Sequence, residues 1–155
     1  MERIMKMWKK ILIGIVVIVA IGAAVLFYTM DSASKLTEYD FGTDKIASVN
    51  AVIGEKRKVT GVDVGVSATP SGSVQYKQYT YETASMFEDL LAYSNHLRNK
   101  GWLALKDYNL NDGNGEMQLA IESADSGKIL LMSVVFEKDK YIVRITKSEG
   151  TLTRK

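Results

Sequence analysis

Hydrophobic and polar positions divide this chain into two unequal parts. From Ile11 to Met30 no residue is charged, and twelve of the twenty are Ile, Leu, Val or Phe. At about 1.5 Å per residue such a run covers roughly 30 Å, the depth of a bilayer's hydrocarbon, so the pattern predicts a membrane-spanning helix. Trp8 and Tyr28 fall near its ends, where amphipathic rings favour the headgroup level. After Asp31 the run gives way to the short, changing periods of a folded domain.

Residues 31–45 are polar without a sustained period and predict a tether. Residues 46–53 predict a short helix or strand ended by Gly54. Val62, Val64 and Val66 alternate with Asp63 and Gly65, the period of a half-buried strand, and Pro70 lies in the turn-forming run 69–73. Along 74–82 the apolar phase slips between Val74 and Tyr76 and the later Tyr79 and Tyr81; a bulge near Lys77 and Gln78 would keep both pairs on one face. Residues 86–100 carry Phe87, Leu90, Leu91, Ser94 and Leu97 on one helical stripe. Ser85 and Glu88 have capping-box spacing, and Gly101 ends the helix in a way that would bring Trp102 onto Leu97. Strands over 102–110, 117–121, 129–136 and 141–145 follow, joined by turn formers at 111–115, 125–127 and 138–139. Residues 129–136 are apolar on both faces, as in a central or doubly covered strand. The fold class expected is therefore α+β: one antiparallel sheet in the order ββαββββ with a single long helix packed on one face. That domain occupies 46–150, with 151–155 as a frayed tail.

Charge sets the orientation. Arg3, Lys6, Lys9 and Lys10 precede the apolar run with only Glu2 against them, which predicts a cytoplasmic N-terminal flank over 1–10 and an extracytoplasmic domain. Of the 20 basic and 18 acidic residues, four and one lie before the run, leaving 16 against 17 after it. A domain so balanced has no electrostatic reason to hold nucleic acid. The competing reading is a cleaved signal peptide. It calls for an apolar region of only about 7–15 residues, and its best site, after Ala33, would put Asp31 where a small residue is needed; an earlier cut near Ala23 is the remaining form of it. With no cysteine, the chain has no thiol for acylation, for catalysis or for disulfides, so the domain must be stable through its core. Ala20 and Ala24 have the small-xxx-small spacing of paired membrane helices, and small residues at such positions also serve as filler.

The candidate chemistry is sparse. His96 is the sole histidine and falls about 150° from the helical stripe, a solvent-facing position with no orienting carboxylate in sequence. Asp107, Asn109, Asn111, Asp112 and Gly113 begin like a calcium loop, but the glycine is one place late and Gln118 stands where a bidentate Glu is required. Turn formers tolerant of positive φ account for the same residues. Tyr76, Tyr79, Tyr81, Tyr93, Tyr108 and Tyr141, with Trp102, would suit a stacking surface if turned outward, although aromatics also suit strands and core edges. Lys56, Arg57 and Lys58 form a short basic run with the chemistry to meet lipid headgroups or an anionic wall polymer, although a run this short is more often a solvated strand entrance. A pilin-like leader is excluded, because no glycine and glutamate flank the start of the apolar run.

The residues Tyr81-Glu82-Thr83, Leu90-Leu91-Ala92-Tyr93, Gly101-Trp102, Gly115 to Leu119 and Ser126 to Leu130 are similar to those of small membrane-anchored extracytoplasmic domains of Gram-positive bacteria, proteins that are uncharacterised. The resemblance spans roughly 46–150 and implies a recurring domain; it carries over no catalytic or binding residue, and no catalytic, cofactor or metal residue is assigned. The reading is a single-pass cell-membrane protein, held in the lipid bilayer through Ile11 to Met30. Its outward domain is a non-enzymatic binding or assembly module for another envelope protein or a wall ligand. The alternative is an envelope hydrolase using Asp107, Asp112 and Glu116, which would have to share a cleft with one carboxyl raised in pKa.

Overall fold

The computed structural model describes residues 28–70 and 72–153. The spanning-helix run lies, except for its last three residues, outside that range. No helix among the described residues is long and apolar enough to cross a membrane. The described chain starts in helical residues 28–34 and continues through β1 (Glu38–Phe41), β2 (Asp44–Ala47), α1 (Val49–Ile53), β3 (Lys58–Thr69) and β4 (Gly72–Glu82). The helix α2 (Met86–Asn99) follows, then β5 (Leu103–Ala104), a 3-10 turn (Leu110–Asp112), β6 (Gly115–Glu122), β7 (Lys128–Glu137) and β8 (Lys140–Glu149). β1 and β2 form a separate hairpin, and the others form a six-stranded sheet in the order β3-β4-β8-β7-β6-β5. Its pairings are all antiparallel. The α+β class and the ββαββββ order of the main sheet are both present.

One face of the sheet carries the core. Tyr79, Tyr81, Met117, Leu119, Leu130, Met132, Val134, Phe136, Tyr141, Val143 and Ile145 point to it and are buried. Against them pack Met86, Leu90, Tyr93 and Leu97 of α2, and Tyr39, Phe41, Ile46 and Val49 from the hairpin and α1. β7 lies inside the sheet, yet only alternate residues are covered, and Val135 on its other face is 44% exposed. The doubly apolar sequence of β7 therefore reflects a central strand with one open face.

The tether expected over 31–45 is instead folded structure. Tyr39 is fully buried, Phe41 and Asp44 are buried, and the segment supplies two paired strands. Its short strands and polar composition concealed an alternation of only four residues each. The bulge expected at Lys77 and Gln78 is absent. β4 keeps an unbroken register with β8 from Gln75 to Glu82, and the irregularity lies across the sheet edge, between Val59 and Gly61 of β3. No extra residue is needed, because Val74 and Tyr76 lie on the uncovered face while Tyr79 and Tyr81 face the core.

The buried stripe of α2 is also rotated from the one expected. Met86, Asp89, Leu90, Tyr93, Ser94 and Leu97 are buried, while Leu91 is 43% exposed. Asp89 and Tyr93 bury polar ends by bonding them. Tyr93 Oη donates to the Ala47 carbonyl, and Asp89 takes paired bonds of 2.8 Å from Arg57 Nε and Nη2. The Ser85 capping bond does not form: Ser85 has φ −111° and ψ 38°, away from the extended geometry that aims a cap at the helix, and its own N–H donates to Thr83 Oγ1. At the other end the expected motif is complete. Trp102 N–H bonds the Leu97 carbonyl, Gly101 N–H bonds that of Arg98, and Gly101 sits at φ 92°. The strand expected over 102–110 shrinks to Leu103–Ala104, because Asn109 caps a 3-10 turn that buries Leu110 beneath α2.

The polar interior is continuous. Val49 N–H donates to Tyr39 Oη, which lies 2.6 Å from Tyr81 Oη. The Tyr81 ring stacks on Tyr141, and Tyr141 Oη donates to Asp89. Burial pushes all three tyrosine hydroxyls up, so they remain protonated donors. Replacing Asp89 by Ala leaves the Arg57 guanidinium facing a cavity without its partner; a loss of about 3 kcal/mol in unfolding free energy is expected from denaturant titration. Gly101→Ala, forced into positive φ, should cost about 1–2 kcal/mol in the same measurement without altering the fold.

Candidate functional site

The residues singled out by sequence do not converge. Glu116 lies on the uncovered face of β6, where its carboxylate accepts bonds from Gln118 and Ser133 at 2.7 and 2.8 Å. Those bonds, with Lys106 nearby, hold it below the usual carboxylate range, opposite to the shift a general acid needs. Asp112 accepts a bond from Asn109 Nδ2, and Asn109 Oδ1 accepts from both the N–H and the side chain of Asn111. The calcium-like run is thus a self-bonded turn, and among the described residues no group of His, Asp and Glu is arranged to hold a metal. The tyrosines divide: Tyr79, Tyr81, Tyr93 and Tyr141 are core, joined by Tyr39, whereas Tyr76 and Tyr108 are half-buried at the surface. His96, expected in solvent, is half-buried on the wall of a groove of about 490 Å³ shared with Lys45, Lys100, Trp102 and Glu122. The rotated helix stripe accounts for that displacement.

A buried ion cluster escaped the sequence reading. Lys147 of β8, with 4% of its side chain exposed, places Nζ 2.7 Å from Asp44 and 2.5 Å from Asp125. It also donates to the Phe41 carbonyl and to Thr43 Oγ1. Asp44 accepts further bonds from Ser123 Oγ at 2.6 Å and the Ala124 N–H at 2.8 Å. Burial works to raise the Asp44 carboxyl, and these donors outweigh it, holding the group below its ordinary value. Burial likewise opposes the Lys147 charge, and the two carboxylates outweigh it and raise the ammonium above its ordinary value. The signal was available: Lys147 continues the inward alternation of Tyr141, Val143 and Ile145. The cluster pins the β1–β2 hairpin to the β6–β7 turn, which makes it structural.

The arriving chain is seated with similar care. Ser34, 5% exposed, accepts the Val59 N–H at 2.9 Å and gives its own proton to the Met30 carbonyl. Its carbonyl accepts Asn50 Nδ2 at 2.8 Å, and Asn50 also bonds both backbone groups of Arg57. Asp31 pairs with Lys35 and, at 3.2 Å, with Lys56. Beside it opens a groove of about 500 Å³ whose lining includes Met30, Asp31, Lys56, Lys58 and Thr60. The basic run of the sequence is thereby divided: Lys56 and Lys58 face this groove, whereas Arg57 turns inward to Asp89.

Among the described residues, no layer covers the face of the sheet away from α2. Tyr76 lies across Gly65, where a Cβ would come within 2.9 Å of its hydroxyl. Arg144 stacks on the Tyr76 ring at 4.6 Å and reaches Gln78. Beside them stand Val135, Ile142 and Leu131 of β7 and β8. Compared with known proteins, the chain matches no family model, no curated protein and no solved structure. The resemblance to Gram-positive membrane-anchored domains therefore rests on its sequence motifs alone.

The ion cluster makes a signed prediction. The depressed Asp44 and Asp125 carboxyls contribute stability that is complete above about pH 4 and is lost as pH falls through their folded values. The raised Lys147 contributes up to its ordinary value of 10.5 and loses that contribution as pH rises through its folded value. Lys147→Met should destabilise the protein by about 3 kcal/mol at neutral pH, since it strands the buried Asp44 charge. Acidification should then relieve that loss in the variant while destabilising the wild type through this cluster, as read by urea unfolding at pH 7 and pH 3.

Proposed function

We propose that the chain is a single-pass membrane protein with a cytoplasmic N-terminus, whose extracytoplasmic domain is a non-enzymatic assembly module that binds another envelope protein through the uncovered face of its sheet. The observation that carries this reading is the seating of residues 28–34. The segment that leaves the apolar run is hydrogen-bonded into the domain at Ser34, within four residues of the run's end. A domain so attached has a constant height and orientation above the bilayer, a property suited to holding a partner in register. The uncovered face has suitable chemistry, with Tyr and Arg interleaved with aliphatic residues, a composition enriched at protein interfaces. The hydrolase alternative draws no support from Glu116, whose carboxyl is depressed and locally bonded.

Two measurements test it. Protease treatment of intact cells should remove the domain while leaving an N-terminal tag protected; protection of the domain as well would overturn the topology. A photo-cross-linker at Gln78 or Val135 should trap one stoichiometric envelope protein, and the same group at Leu91, exposed on α2, should not. Equal trapping from both sides would reject the uncovered face as the interface.

Ser34→Ala leaves the Val59 N–H unbonded in a buried position and should cost about 1–3 kcal/mol of stability. It should also broaden the distance distribution between spin labels placed at Thr29 and Thr80 if the seat sets the domain's orientation.

A further inference from the structure

We propose that the groove beside Asp31 holds the phosphate of an anionic phospholipid headgroup drawn from the bilayer that anchors the chain. The proposal rests on the anchor reading above and names a lipid partner for the domain's membrane-facing end. Its first support is depth. Asp31 is the first charged residue after the apolar run, so its carboxylate stands within one helical turn, about 5.4 Å, of the hydrocarbon boundary. Lys56 Nζ is 3.2 Å from that carboxylate, and Lys35, one turn further along, pairs with it too. These groups thus lie in the headgroup layer, well inside the screening length of about 8 Å.

The second support is charge. Lys56 and Lys58 line the groove together with Asp31, and Lys35, outside the lining, adds a further cation by pairing with Asp31. Glu55, beside Lys56 in sequence, is engaged by Arg57 at 2.5 Å, and Lys58, although Glu82 stands opposite it in the β3–β4 register, makes no ion pair among the described residues. The third is shape. The groove of about 500 Å³ has half-buried Met30 on its lining beside Lys56, Lys58 and Thr60, so it offers an apolar contact for the start of an acyl chain beside cations for a phosphate. Because Ala33 and Ser34 are buried against the domain, the groove keeps a fixed relation to the segment that leaves the apolar run.

The test uses the full chain reconstituted into nanodiscs of phosphatidylcholine, with or without phosphatidylglycerol. Amide hydrogen exchange over residues 56–60 should slow at least several-fold in the phosphatidylglycerol discs, with the rest of the domain unchanged. The Lys56→Gln/Lys58→Gln variant, altered only at exposed side chains, should lose that slowing while keeping wild-type exchange elsewhere. The same exchange in both lipids, or slowing that survives in the variant, overturns the headgroup site. So does reproduction of the effect in phosphatidylcholine discs by inorganic phosphate, which would assign the groove to a free anion. Extraction of the chain from cell membranes by alkaline carbonate would overturn the anchor itself, a result separable from lipid-insensitive exchange in a chain that stays inserted.

Discussion

The carboxylate of Asp89 is the constraint on which the rest of the interior depends. It is buried on the core side of α2, where an isolated charge would be strongly destabilising, and it is accommodated because Arg57 meets it with two parallel hydrogen bonds. Arg57 can reach it only if the chain between α1 and β3 is held close, and Asn50 holds it there by bonding both backbone groups of Arg57. Tyr141 adds a third donor from the sheet. One acid thus fixes the relative positions of helix, sheet and the segment that precedes them. The stacked tyrosines extend the same network to the β1–β2 hairpin.

Lys147 performs the corresponding task at the opposite end of the hairpin. Strands of four residues bury too little apolar area to stay docked by the hydrophobic effect alone. Two carboxylates, Asp44 at the start of β2 and Asp125 in the β6–β7 turn, converge on one buried ammonium and remove that freedom. Buried ion pairs of this kind contribute little net stability over apolar packing, but they tolerate few alternative arrangements. Their value here is geometric, since a slipped hairpin would leave charges unpaired in the core.

Both networks bear on how the domain meets its surroundings. β3 and α1 form the platform into which Ser34 bonds, through Val59 and Asn50, so the rigidity of the interior is transmitted to the segment leaving the apolar run. A flexible linker would have left the open sheet face to sample all orientations. A hydrogen-bonded seat holds it, with Lys56 and Lys58, at one angle to residues 28–34.

Much of this was legible in the chain and much was not. The apolar run, the valine alternation of β3, the length and Gly101 exit of α2, the turns between strands and the α+β order all follow from local patterns, because periodicity and turn chemistry act within a few residues. The seating of residues 31–45, the true face of α2 and the two ion networks could not be read that way. Asp44, Asp89 and Lys147 look polar in sequence, and burial becomes tolerable for each through partners 22 to 106 residues away. Sequence by itself determined the fold class, most elements of the main sheet and the membrane-length apolar segment from Ile11 to Met30. Tertiary structure alone decided which polar groups face inward, and so whether the domain hangs from that segment or is bonded to it, because a buried charge is stable only where the fold supplies its counterpart.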